Sequence, residues 1–177
     1  MSALVIGFDE AADVAQVGGK AARLAEMAQA GLPVPPGFAV AAAAWRAFLA
    51  AADHRRRLED AVARTDSAAA RDVVLEQPLP AALESEIAAA YARLGDPPVA
   101  VRSSATLEDT ATDSFAGQYE TFLWITGADA VIDAVRKCWA SLFSAPVSRT
   151  PRTPGAACST TRWRSRSRAW SRPAPRA

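Results

Sequence analysis

A chain of 177 residues, half of them hydrophobic, can build one ordinary domain core and hardly two. No run of about 18 apolar residues is free of charge, which excludes a membrane-spanning helix. The net charge of +1 conceals a split: the first 145 residues carry 12 Lys and Arg against all 19 acidic residues, whereas residues 146–177 carry 8 Arg and no acid. The start, MSALVIGFDEAADVAQ, has no basic n-region and soon turns acidic, so no secretory signal is expected. Two cysteines, Cys138 and Cys158, show neither metal-ligand spacing nor a disulfide framework, which points to a cytoplasmic protein with free thiols.

Leu4 to Phe8 is a short apolar run and reads as a strand, and Asp9 to Ala15 bridges it to Val17-Gly18-Gly19-Lys20. From Lys20 a helical period sets in, with Leu24, Met27 and Ala28 on one face, and Gly31 stops it in the C′ position just before Pro33. Gly-Gly-Lys at a helix start can bind an anion, because the first N–H groups lack intrahelical partners and the helix dipole favours negative charge there. It can equally be a flexible lead-in with a solvated lysine. It is not a Walker A loop, since GxxxxGK[ST] is absent.

Pro33, Pro35 and Pro36 exclude helix from the next stretch. Phe38 to Val40 reads as a strand, and Ala42 to about Ala52 as a helix with Trp45, Phe48 and Leu49 as its core stripe. Residues 53–77 carry little pattern, and Asp53-His54-Arg55-Arg56-Arg57 reads as a solvated patch at a helix junction. His54 is the chain's single histidine, and nothing around it suggests catalysis. Pro78-Leu79-Pro80 opens a helix through Leu83, Ile87, Tyr91 and Leu94 that Gly95 closes.

The stretch VRSSATLEDTATDSFAGQYET, residues 101–121, is the centre of the chain's organisation. A strand ends at Arg102; Ser103 and Ser104 follow; a polar loop carries Glu108, Asp109 and Asp113. Ser114 to Gln118 then leads into a second strand, Tyr119 to Ile125. Such a loop can turn backbone N–H groups and a planar guanidinium toward a polyanion. By residue types alone it can also be a plain turn with a surface arginine. After Gly127, Asp129 to Phe143 is an amphipathic helix that buries Val131, Ile132, Val135, Cys138, Trp139 and Leu142.

VRSSAT followed by SFAGQYET resembles the nucleotide-binding signature of the phosphoenolpyruvate synthase and pyruvate phosphate dikinase family, which includes rifampicin phosphotransferases. VGGKAARLAEMAQAGLPVPPGF is similar to the opening of the same family, in the same order, and Cys138 to Phe143 resembles a later segment. The resemblance spans about residues 4–143 and implies the first lobe of the ATP-binding domain, residues 1–145: an α+β, ATP-grasp-like but incomplete unit. By that resemblance Lys20 would contact the triphosphate and Arg102 would clamp the phosphates and act in catalysis. Gly117 would offer its N–H, and Thr121 its hydroxyl. ATP and Mg2+ are the implied cofactors. No metal ligand is assigned in this chain, Glu108 and Asp109 being read as fixing the loop. Pyruvate or another acceptor would serve only a longer enzyme, in which ATP phosphorylates a carrier histidine, and catalysis by this chain alone is not expected.

Past Ala145 the resemblance disappears. The tail, residues 146–177, has no apolar period, and ordering it would cost roughly 1–2 kcal/mol per residue in backbone entropy, so disorder is expected. Its abrupt change of composition suggests off-frame translation from about residue 145. Two alternatives stand beside the ATP-binding fragment: an inactive vestigial product, and a nucleic-acid-binding module gripping phosphates with the spaced arginines while Trp163 and Trp170 stack on bases.

Overall fold

The computed structural model describes residues 3–10, 13–50, 53–105, 120–143 and 156–162. The described residues form five strands and seven helices: β1 (Val5–Gly7), α1 (Val14–Val17), α2 (Gly19–Gln29), β2 (Gly37–Val40), α3 (Ala42–Ala50), α4 (His54–Ala63), α5 (Ser67–Glu76), α6 (Ala81–Arg93), β3 (Val99–Ala105), β4 (Thr121–Ile125), α7 (Ala128–Ser141) and β5 (Ala156–Arg162). The α+β class expected from the sequence is therefore the one observed. The strands make one sheet in the order β1-β2-β5-β3-β4, with every neighbouring pair antiparallel.

Alternation along the strands divides the core in two. Phe38, Val40, Val99, Val101 and Cys158 face the large core built with α3 to α7, where Trp45, Phe48, Leu83, Ile87, Tyr91 and Trp139 are buried. Ile6, Ala39 and Ala41 face the other way and meet Val17 of α1 with Ala21 and Ala22 of α2. Trp45 is the hub of the large core, its ring stacked 5.5 Å from Phe48 and edge-on 5.2 Å from Trp139.

Three expectations are corrected here. The tail was expected to be disordered throughout, yet Ala156–Arg162 is the central strand, paired with β2 and β3 along its length. Its side chains explain how a segment without an apolar period can sit there. Ala157, Cys158, Ser159 and Thr160 are all 1% exposed or less and small enough for a layer covered on both faces. The remainder of the tail lies outside the described residues. Next, residues 53–77 form two helices that pack on each other, and His54 is buried rather than solvated. Finally, α2 buries Ala21, Ala22 and Ala25, while Met27 is exposed and Leu24 and Ala28 are only partly covered. Alanine lets the helix lie close to the sheet, so the small residues take the inner face and the long ones its margins.

Gly31 does end α2 as expected. At φ +74° it leaves the helix in the left-handed region, with its N–H on the Ala28 carbonyl (3.0 Å) and the Leu32 N–H on the Met27 carbonyl (3.0 Å), a Schellman motif. Gly37 is required for a different reason: a Cβ there would land on the Thr160 carbonyl oxygen and the Phe8 ring. In β4 a bulge interrupts the register with β3, Trp124 has φ +60°, and Leu123 and Trp124 are both exposed.

Candidate functional site

The Gly18-Gly19-Lys20 segment is a helix-to-helix corner. Asp13 caps α1, accepting from the Gln16 N–H (2.8 Å) while the Gln16 side chain accepts from the Asp13 N–H (3.4 Å), a capping box that holds a single turn. Gly18, at φ 79° and ψ 160°, then turns the chain in a conformation closed to L side chains. Its N–H closes α1 on the Val14 carbonyl (2.8 Å), and its carbonyl accepts the Ala22 N–H of α2 (3.0 Å). The second helix begins at once. Gly18 brings no capping side chain and no acid lies in the first turn of α2; the positive end of a helix dipole favours negative charge. Lys20, its second residue, is exposed.

Arg102 lies on the sheet face that carries α2. In β3 the residues on either side of it, Val101 and Ser103, are buried toward the large core, while Arg102 is exposed. Directly opposed residues across the sheet share a face, and the ladders give one transverse row: Ile6, Ala39, Ser159, Arg102, Thr121. Ile6 and Ala39 pack against α1 and α2, which fixes the row to that side, and α2 also packs along β3. Thr121, exposed at the start of β4, is the cross-strand partner of Arg102. Opposed side chains in such a pair have Cβ atoms about 4.5–5.5 Å apart, so a guanidinium and a hydroxyl project side by side. Among the described residues no carboxylate pairs with Arg102.

Of the four residues singled out in the sequence, Arg102 and Thr121 stand opposite each other on one face, and Lys20 is an exposed residue of the helix that packs on the same side of the sheet. Gly117 lies outside the described residues, as do Glu108, Asp109 and Asp113. A third polar group in the row, Ser159, had no signal in the sequence because its strand had none. Its hydroxyl is buried without a hydrogen-bond partner beside Arg102. A lysine at a helix start, a guanidinium and a hydroxyl are donors of the kind that bind phosphate oxygens. Among the described residues no three His, Cys, Asp or Glu side chains converge.

The remaining polar clusters are structural. His54 Nδ1 lies 2.9 Å from the Phe48 carbonyl, Nε2 lies 3.1 Å from Gln77 Oε1, and the ring packs on Phe48, so it bridges α3, α4 and the end of α5. Asp133 is held below the usual carboxylate range by hydrogen bonds first from Lys137 and then from Arg136, one turn along α7. A groove of about 300 Å³ between α4 and α5 is lined by both signs of charge, among them Arg57, Arg64, Asp60 and Glu76, on helices that belong to the large-core side of the sheet.

An α+β unit with such a face has the form of a nucleotide-binding domain. Residues 14–147 match the family model described as the pyruvate phosphate dikinase AMP/ATP-binding domain, and the chain belongs to that family. It is 42% identical over 149 residues to a probable phosphoenolpyruvate synthase of Methanothermobacter thermautotrophicus, covering 75% of this chain and 22% of that protein. It is 40% identical over 149 residues to the prodigiosin synthesizing transferase PigC of Serratia marcescens (84% and 16%), and 41% identical over 147 residues to a rifampicin phosphotransferase of Streptomyces sp. (76% and 17%). The chain therefore spans only about a fifth of the length of the relatives it matches. No helix among the described residues is long and apolar enough to cross a membrane.

Proposed function

We propose that this chain is the ATP-binding lobe of a phosphotransferase of the phosphoenolpyruvate synthase type, with one lobe of an ATP-grasp-like cleft formed on the Arg102 face. The observation that carries the proposal is the direct pairing of Arg102 with Thr121 on the side of the sheet that α2 covers. Lys20 and the start of α2 attract the terminal phosphates, Arg102 clamps them through its planar fork, and Thr121 donates its hydroxyl. Gly117 is assigned a backbone N–H to the same phosphates. Phosphoryl transfer needs positioning and positive charge more than covalent help from the protein, and these groups supply both. Magnesium bound to ATP would neutralise part of the phosphate charge. The described residues provide no ligand set for it, so no role in holding the metal is given to them.

In this proposal the phosphoryl group passes to a carrier histidine and then to pyruvate or another acceptor in a longer enzyme working in the cytoplasm. The isolated chain binds nucleotide without turning it over. Residues 146–177 are assigned to off-frame translation, which is supported by the end of the family match at residue 147, by the shift to an acid-free, Arg-rich composition, and by two buried hydroxyls in β5, of Ser159 and Thr160, that meet no partner.

Calorimetric titration of the chain with Mg-ATP tests the binding role. A charge-assisted contact contributes about 1.5–3 kcal/mol, so Lys20→Ala and Arg102→Ala should each weaken ATP by roughly ten- to a hundredfold. Thr121→Val should have a smaller effect in the same direction. Variants that fold and bind ATP as tightly as the unaltered chain would remove these residues from the site. Sequencing the coding DNA from about codon 140 tests the tail: a second frame that continues the family pattern supports the assignment, and its absence refutes it.

A further inference from the structure

Arg102 has a hydroxyl opposite it on each side of its row. Thr121 of β4 stands on the outer side and is exposed; Ser159 of β5 stands on the inner side and is fully buried, with α1 and α2 both packed along its strand. Opposed residues of an antiparallel pair keep their Cβ atoms about 4.5–5.5 Å apart, so Ser159 Oγ lies within reach of the Arg102 side chain. That oxygen meets no hydrogen-bond partner, and among the described residues no carboxylate holds the guanidinium. A buried hydroxyl without a partner destabilises a fold. The packing does not demand one here, since Ala39, opposite Ser159 on β2, is buried in the same row with a methyl alone.

We propose that Ser159 is a positioning residue of the phosphate site: its hydroxyl accepts the Arg102 Nε–H and so turns the two terminal nitrogens of the guanidinium toward the ligand. The inference rests on the reading of Arg102 as the phosphate clamp, and it concerns the folded chain, however residues 146–177 came to be coded. A guanidinium carries more N–H donors than a phosphate fork uses, and it has no acceptor. With the terminal nitrogens on phosphate, Nε–H is left over, and it is the donor nearest the strand. An exposed arginine on its long stem samples many directions, of which few present the fork squarely. A fixed acceptor for the leftover N–H selects among them. Ser159 suits that task because its strand is paired on both sides, by β2 and by β3, so its oxygen stands in a fixed place. Being neutral, it orients the guanidinium without cancelling the charge that phosphate needs, as a carboxylate would. Its burial keeps it from the ligand itself, so it acts through Arg102, and Thr121 on the open side is the hydroxyl that reaches phosphate.

The test is calorimetric titration of the full chain with Mg-ATP. Ser159→Ala should weaken binding by roughly three- to tenfold, while its midpoint in urea stays level or rises because an unpaired buried hydroxyl is gone. A changed midpoint with unchanged affinity is the pattern of a merely structural residue and would overturn the proposal. In an Arg102→Ala background Ser159→Ala should weaken ATP no further; a loss of the same size there would show the hydroxyl acting without the guanidinium, which overturns it too. The Arg102 Nε–H resonance of isotope-labelled chain gives a spectroscopic reading. On adding Mg-ATP it should exchange more slowly with water in the unaltered chain but not in Ser159→Ala, and equal slowing in both would sink the inference. Failure here is distinct from failure of the site. If Arg102→Ala loses affinity and Ser159→Ala does not, Ser159 alone is removed. If neither substitution changes affinity, or the unaltered chain binds no Mg-ATP, the phosphate site falls and this inference with it.

Discussion

The Tyr91 hydroxyl donates to the Pro97 carbonyl (2.9 Å) and accepts the Gly127 N–H (3.1 Å), joining the end of α6, the turn into β3 and the start of α7. Removing that oxygen leaves the buried Pro97 carbonyl without its partner and takes a bond from the more exposed Gly127 N–H. Tyr91→Phe should therefore cost about 1–3 kcal/mol, seen as a lower midpoint in urea with an unchanged slope. Cys158 gives a pH dependence of definite sign. Burial makes its thiol titrate higher in the folded chain than in the unfolded one, so the stability it confers is complete below the unfolded value of about 8.5. That stability is lost as pH rises above it, because the unfolded chain ionises first. Urea titrations under reducing conditions should show stability falling on the alkaline side, and Cys158→Ala should flatten that limb. Asp133 acts in the opposite direction. Its carboxyl is held low, so its contribution is present above about pH 4 and fades on acidification, weakly because the ion pairs with Arg136 and Lys137 are half exposed.

Among the elements, α2 shows most directly how termination is encoded. Gly31 meets nothing within 4 Å where a Cβ would stand, so Gly31→Ala isolates the backbone cost of the left-handed C′ position. A loss of about 1–2 kcal/mol is expected from chemical denaturation, with ATP affinity unchanged because the N-terminal end of the helix is untouched. The same helix shows where the sequence misleads. Its start and stop were legible in Gly-Gly-Lys and in Gly31, but its inner face was not, since alanine serves either face and only the sheet beneath decides. The Asp13 and Gln16 capping box of α1 is present in the sequence, but a helix of one turn adds no period to mark it. Helices α4 and α5 were obscured by Asp53 to Arg57, whose charges line the outside while Leu58, Ala61, Ala70, Val73 and Val74 fill the inside. Strands β3 and β4 were visible from their apolar runs, but that Arg102 and Thr121 stand opposite each other was not, because register depends on how the strands meet. Strand β5 could not be seen, because small and hydroxyl side chains carry no alternation and its pairing is set by partners more than fifty residues away.

At the scale of the whole molecule, the sheet of the described residues consists of two pairs, β1 with β2 and β3 with β4, joined by β5 between them. A chain ending at Val147 would keep every residue of the family match yet leave facing edges of β2 and β3 without partners. Such a truncation should unfold with a broadened transition and bind more of a hydrophobic dye than the full chain. A sharp transition with no added dye binding would show that β5 is dispensable. The position of β5 also bears on how the molecule comes into being. The strand that closes the sheet is synthesised after the four it joins, so a nascent chain can form its hairpin-like halves and helices early but cannot unite them until residue 162 has left the ribosome. Over that interval the molecule is two open sheet edges held by helices, the stage at which a chaperone, or a second nascent chain offering an edge of its own, would find it most receptive.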